Sequence, residues 1–479
     1  MSFRRPNILW LYCDELRADA LGCYATAGGL SPHTPAVDAL AAGAVVFDRC
    51  YTNSPVCVPS RTSALTGLPP DRTGVYHNEA ASPGFPLPEG LVTFPEVFAA
   101  AGYATASFGK EHIPSALTPW QLDDHTGAGM RDPLAGGDER SLVRTPGMRF
   151  VVGGRHRDED YRPEEVTRRA IAWMRQASTP FLLRASFLQP HTPVVPPQRW
   201  ARVFRPDAQP GRDLDRGAGE SRFERRFGEL NGGREMAERD LRRAQADYLA
   251  LVAWVDEQIG ALLAALDELG IAEETIVVLT SDHGVHLGEG GAFGKHTFAP
   301  QSHRVPLIVR RPGHLAPARR GDLAQSLDLG PTLLGLAGIA AGAETGGRDL
   351  FTDPAPEHVM ATIGYGGPAS RAFPNRNAGT WYGGRGWPRR TCIRNGRYRL
   401  DSTVRLDGQP ATPDEEDVFL ADSLADPSEL RNLAADPRCA RVRDTLLMAL
   451  RAHARSAAEI PDELVARLGS EASAHVTGR

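Results

Sequence analysis

The chain has 479 residues, 41% of them hydrophobic and 24% charged, and carries a formal net charge of -5. That length suits one large α/β domain with a smaller companion, and the composition is that of an ordinary globular protein. The weak negative charge gives no field that would gather nucleic acid or an anionic membrane. Six scattered cysteines without a CxxC pair argue against a disulfide framework or a structural zinc site.

The opening MSFRRPNILWLYCDE places two arginines before the run ILWLY, too short for a signal-peptide core and without a cleavage site. No stretch reads as a membrane span, so the expectation is a cytoplasmic protein with reduced thiols. Asn7 to Cys13 is a short continuous apolar run and reads as a buried strand. Ala44 to Tyr51, Tyr103 to Gly109, Phe181 to Phe187, Thr275 to Gly284 and Val305 to Arg311 read likewise. Helices fill the gaps. TFPEVFAAAG closes on a C-cap glycine. RPEEVTRRAIAWMRQAS and AERDLRRAQADYLALVAWVDEQIGALLAALDELG repeat apolar residues at helical spacing. This alternation predicts an α/β fold, a mostly parallel sheet with helices on both faces. Sites in such folds gather beyond the C-terminal ends of the strands. The composition changes after about Phe351. HVMATIGYG and TCIRNGRYRLD read as strands, the second with an Asn-Gly turn, and DPRCARVRDTLLMALRAHARSA as a closing amphipathic helix. The expected division is a catalytic α/β domain over residues 1–352 and a smaller α+β domain over 353–479. The polar stretches Arg205 to Glu235 and Gly366 to Arg390 read as loops of the length used for lids and binding.

The segment CVPSRTSALTG, Cys57 to Gly67, combines a thiol, a proline suited to a helix's first turn and an arginine one turn on. A helix start there favours an anion beside Cys57, so the element reads as an oxyanion-binding nucleophile or as a buried cysteine beside a helix start. Asp14 and Glu15 end the first strand, and Asp282 and His283 end a later one. Carboxylates meeting at strand ends repel unless a divalent cation joins them. Adjacent strand residues face opposite ways, so Asp14 and Asp282 are the direct ligands while Glu15 and His283 need the chain to turn. Lys110 and His112, two apart after another strand, suit a sulfate or phosphate ester. His191 follows the strand ending at Phe187, and Lys295 lies in the loop after SDHG. Each alone fits a solvated lysine or a structurally satisfied histidine; it is their joint appearance at strand ends that points to function.

The pattern resembles the sulfatase family, within the alkaline-phosphatase-like superfamily. CVPSRTSALTG matches its C-x-P-S-R signature followed by Thr-Gly. PNILWLYCDELRADALGCY, GKEH, PHTP, TSDHG followed by LGE, the Lys295 loop leading into RVPLIVRRPG, and DPSELRNLAADP follow in family order across nearly the whole chain. The resemblance implies a large mixed, mostly parallel sheet sandwiched by helices, with a smaller C-terminal α+β domain. It also implies that a separate maturation enzyme oxidises Cys57 to formylglycine. The aldehyde hydrate carries two hydroxyls on one carbon: one attacks sulfur, and deprotonation of the other releases sulfate by C–O cleavage. By the same resemblance Asp14, Asp282 and His283 look like metal ligands, with Glu15 and Cys57 beside them. The metal is one divalent ion, calcium by family habit, with manganese or magnesium as alternatives. Arg61 would stabilise the hydrate, Lys110 would contact sulfate, His112 would take the second hydroxyl's proton, His191 would protonate the leaving oxygen and Lys295 would bind sulfate.

Three features depart from the family pattern. Glu15 is longer than the usual partner, Glu111 replaces a common aromatic, and His296 follows Lys295 with a substrate contact as its candidate role. Trp381, Tyr382, Arg385 and Trp387 would suit a sugar or aryl ring bearing extra negative charge, or a plain surface contact. The expected reaction is hydrolysis of a sulfate monoester of a sugar or aryl alcohol. A phosphonate monoester hydrolase or phosphodiesterase is the rival, and an unmodified ligand-binding relative a more distant one. A chain of this size is compatible with a homo-oligomer.

Overall fold

The computed structural model describes residues 5–127, 143–144, 151–152, 164–177, 180–211, 221–231, 236–340, 346–370 and 385–468. Its centre is the strand Asn7–Asp14, buried along its whole length. It pairs in parallel with Phe181–Pro190 on one side and Thr275–Ser281 on the other. Burial on both faces explains why these strands read as continuous apolar runs. Ala104–Gly109 and Leu122–Asp124 extend the sheet beyond Phe181–Pro190. On the other side Leu307–Arg310 runs antiparallel between Thr275–Ser281 and Val45–Tyr51, and Ala318–Gln325 pairs parallel with Val45–Tyr51. With the short strand Arg304–Val305, antiparallel to Val45–Tyr51, these make one nine-stranded mixed sheet among the described residues. Alternation along the first strand feeds two cores. Leu9, Leu11 and Cys13 pack with Tyr248, Leu251 and Trp254 of a long helix. Ile8, Trp10 and Tyr12 pack with Phe94, Phe98 and Leu333 on the opposite face.

The long helix spans Glu238–Glu268. Against the sequence-based reading, it is long and apolar enough to cross a membrane by length and composition alone. Here that apolar surface lies against the sheet, with Leu249, Leu251, Val252 and Val255 all buried. A second correction falls in the stretch read as a loop, Arg205 to Glu235. It holds a helix, Arg222–Asn231. Its Phe223 and Phe227 lie one turn apart and are both buried. The carboxylate of Asp417 accepts from the backbone N–H groups of Arg222 and Phe223, at 2.8 Å each, so the cap comes from a distant segment.

A second, antiparallel sheet joins His358–Ile363, Arg389–Asn395, Tyr398–Leu406, Gln409–Pro410 and Phe419–Asp422. The Asn-Gly turn links its second and third strands, with Asn395 Oδ1 accepting from Tyr398 N at 2.7 Å. The closing helix Ala440–Ala454 lays Leu446, Leu447 and Leu450 on Ile393, Leu400 and Leu420.

Buried charge ties this sheet to the loop that carries Phe298. Arg394 donates to Phe298 O at 2.8 Å and to Glu429 Oε2 at 2.7 Å, and Arg399 Nη1 reaches the same Glu429 oxygen at 3.2 Å. Breaking such a group by removing one charge strands its partners in low dielectric. Glu429→Gln should therefore cost about 3–5 kcal/mol of unfolding free energy, read from chemical denaturation. At the helix end, His453 Nε2 lies 3.1 Å from Asp71 Oδ2. Burial opposes the imidazolium, but the bond and charge of Asp71 outweigh it and raise the His453 pKa. A histidine raised on folding stabilises fully below its unfolded value, about 6.5, and loses that contribution as pH rises through the folded value. The melting temperature lost in His453→Gln should be largest near about pH 5.5 and fade toward about pH 8.5.

Candidate active site

Asn7–Asp14, Val45–Tyr51, Ala104–Gly109, Phe181–Pro190 and Thr275–Ser281 all run in one direction, so their C-terminal ends share one edge. Asp14, Lys110, His191 and Asp282 stand at or just past four of these ends, and Cys57 follows the fifth. Cys57 opens the helix Cys57–Thr66, all ten residues of which are buried. Two hydroxyls of this polar, buried helix bond internally: Thr62 Oγ1 donates to Val58 O at 2.7 Å and Thr66 Oγ1 to Thr62 O at 2.8 Å. Ser60 Oγ accepts from Thr52 Oγ1 at 2.8 Å and donates to Asp282 O at 2.5 Å, locking the helix to the Asp282 turn.

The Cys57 sulfur is the meeting point. Lys295 Nζ lies 2.8 Å from it, His283 Nε2 3.3 Å and Asp14 Oδ1 3.9 Å. Arg61, one turn on and fully buried, donates Nη2 to Asp14 Oδ2 at 3.0 Å and Nε to Asp282 Oδ2 at 2.9 Å. Lys110 Nζ also pairs with Asp14 Oδ2. His191 Nε2 sits 3.3 Å from both Lys295 Nζ and Glu15 Oε1, and Lys295 Nζ is 2.9 Å from that same oxygen. The chain does turn at Glu15, where φ is +62°. That turn is held by Tyr248 Oη, which donates to Glu15 O at 2.6 Å. His112 likewise takes a positive φ, +49°, and hydrogen-bonds the Cys57 side chain.

Opposed charges set the protonation states. Burial pushes the Cys57 thiol up, but Lys295, Lys110 and His283 outweigh it and hold its pKa well below the usual value. Burial and the Cys57 sulfur work against ionised Asp14, yet Lys110, His191 and Arg61 keep it below the usual carboxylate range. Asp282 moves the other way, raised by burial and by Asp14. Burial lowers His112, which favours a neutral imidazole there. The two neighbouring carboxylates are thus driven apart, Asp14 ionising more readily than Asp282.

Donor atoms of Asp14, Cys57, Asp282 and His283 all lie within 4.8 Å of one another. Asp14, Glu15 and His191 form a second such group. Glu15 Oε2 is buried without a hydrogen-bond partner among the described residues. Converging carboxylate oxygens with one imidazole fit a hard divalent cation.

The candidate substrate contacts among the described residues each have protein neighbours of their own. His296 is buried, its ring stacked on His77 at 5.4 Å, with Trp387 edge-on at 5.8 Å and Phe227 tilted at 6.4 Å. Trp387 is fully buried and offers no face to a sugar. Arg385 pairs with Glu415 and lies 3.8 Å from Asp407. Trp381 and Tyr382 lie outside the described residues. Sequence reasoning missed Ser186, whose hydroxyl donates to Lys110 O at 2.5 Å and accepts from Arg61 Nη1 at 3.2 Å. It also missed Tyr12, whose ring lies 4.8 Å under the Arg61 guanidinium. Both sit on the face of their strands that leads to the site, a period-2 signal present in NILWLYCD and FLLRASF.

The fold, with its charge-lined sheet edge, is of the alkaline-phosphatase-like kind. Solved structures with this fold include the phosphonate monoester hydrolase from Silicibacter pomeroyi, with TM-score 0.76 at 23% identity, covering 95% of this chain and 96% of that one. Another is a protein solved in complex with its substrate D-glucosamine-2-N,6-O-disulfate, with TM-score 0.68 at 22% identity, covering 95% and 98%. The family model Sulfatase matches residues 6–339. Human arylsulfatase A is 32% identical over 353 residues, 70% of this chain and 64% of that protein. The chain belongs to the sulfatase family, the sulfuric ester hydrolases.

Proposed function

We propose that the chain hydrolyses a sulfate monoester to an alcohol and inorganic sulfate, with position 57 as the reacting group. The carrying observation is the crowding of Lys295, His283 and Asp14 around the Cys57 sulfur. Formylglycine made from Cys57 by a maturation enzyme would supply, as its hydrate, two hydroxyls on one carbon, one to attack sulfur and one to let sulfate leave. Asp14, Asp282 and His283, with Glu15 alongside, would hold one divalent ion, calcium by the family's habit, with which the hard carboxylate oxygens agree. The ion would supply Lewis acidity toward a sulfuryl oxygen.

The chain's own residues do the rest. Lys110 and Lys295 flank position 57 and hold the sulfuryl oxygens against developing charge. Arg61 fixes Asp14 and Asp282 and lies too deep to leave them. Neutral His112 accepts a proton from the group at position 57. His191, 18% exposed, stands at the rim and gives a proton to the leaving oxygen. The substrate alcohol is an aryl alcohol or a sugar, and the setting a cytoplasmic one. Chelation with EDTA should abolish turnover, and calcium should restore it more fully than manganese or magnesium.

The fold shared with phosphonate monoester hydrolases, together with the Asp282-His283 pair, gives phosphonate cleavage its standing as the second reading. Lys110 and His112 beside position 57 favour sulfate. Comparing kcat/KM for an aryl sulfate and an aryl phosphonate monoester decides; a large phosphonate preference would overturn the first reading.

A further inference from the structure

One layer beneath the reacting groups lies a second buried charge cluster. Strand register sets Trp10, Arg184 and Ser107 side by side on three adjacent strands. The next row toward the site holds Tyr12, Ser186 and Gly109, and Asp14 follows on the same face. Arg184 is fully buried, its guanidinium between the rings of Trp10 at 5.3 Å and Trp120 at 4.7 Å. It donates Nη2 to Ser107 Oγ at 2.8 Å and meets the carboxylate of Glu111. Burial works against the Arg184 charge, and Arg61 in the layer above adds to that.

Glu111 is the residue between Lys110 and His112. Its backbone faces the other way from its side chain: the carbonyls of Lys110 and Glu111 both accept from Arg61 Nη1, at 3.0 and 3.3 Å. Just before it, Gly109 has φ +103°, and a Cβ there would come within 2.0 Å of Ser186 O. The segment is thus pinned at its start by close backbone approach, above by Arg61 and below by the Glu111 carboxylate. Glu111 Oε1 and Arg184 Nη1 find no hydrogen-bond partner among the described residues, and a buried pair so incompletely satisfied contributes little net stability.

We propose that Glu111, through its buried pair with Arg184, is a positioning residue that aims Lys110 and His112 at the group on position 57. The proposal rests on the sulfatase reading only for which ester is turned over. Two readouts test it: kcat on that ester, and the affinity for inorganic sulfate by calorimetry, which needs no turnover. Glu111→Gln should lower kcat about 10- to 100-fold, the size expected when reacting groups shift by an ångström, and weaken sulfate binding. Glu111→Asp, which keeps the charge, should recover part of both. The double variant Glu111→Leu with Arg184→Met removes both charges and should melt near the wild-type temperature while remaining slow and weak for sulfate. It carries the test should Glu111→Gln not fold. A double variant with wild-type melting, kcat and sulfate affinity would show the pair to be packing alone and overturn the proposal. Sulfate binding that responds to Glu111 in a protein that hydrolyses only phosphonates would uphold the positioning role while rejecting the sulfatase reading.

Discussion

Replacing Cys57 by alanine should lower kcat/KM for a sulfate monoester by roughly 10³-fold or more, the scale of losing a nucleophile whose partners act as a unit. The side chain is 1% exposed, and replacement leaves Lys295 and His283 in place but with nothing to act on. Cys57→Ser is the sharper version. Serine has one oxygen and cannot expel sulfate by C–O cleavage, so the variant should stop after one turnover with a sulfated Ser at position 57, visible as one added SO₃ unit by intact mass. Steady-state kinetics on both variants, with sulfate binding as a check on the intact pocket, reads the effect. A Cys57→Ala protein with wild-type turnover would remove position 57 from the chemistry.

The second large effect belongs to His191. Its Nε2 stands 3.3 Å from both Lys295 Nζ and Glu15 Oε1. His191→Ala should lower kcat by about 10²–10⁴ for an alkyl or sugar sulfate, the range of a lost general acid. The loss should shrink for aryl sulfates whose phenols leave without help. A series of leaving groups of graded acidity makes the test. An equal loss across the series would assign His191 to binding instead.

Much of the sheet was readable because its central strands are buried on both faces and so appear as unbroken apolar runs. Cys57, Asp14, Lys110, His191, Asp282 and Lys295 come together because strand ends share an edge, an inference that needs no side-chain geometry. What stayed hidden depends on partners far along the chain. Glu111 looks like a break in a motif until Arg184, on another strand, meets it. The Arg222–Asn231 helix hides in a charged, glycine-flanked stretch, and its cap, Asp417, belongs to the other sheet. Phe223 and Phe227 at helical spacing were the available signal. Trp387 reads as a sugar, aryl or surface contact and His296 as a substrate contact, yet both are buried with their rings 5.8 Å apart. Aromatic type alone does not distinguish a sugar platform from a core wall.

Activity depends most on what position 57 becomes in the working enzyme. Peptide mass spectrometry on the segment containing Cys57, taken from fully active protein made in its natural host, measures this directly. The prediction is an aldehyde in place of the thiol, with activity proportional to the converted fraction across preparations. An intact thiol in protein of full specific activity would contradict it.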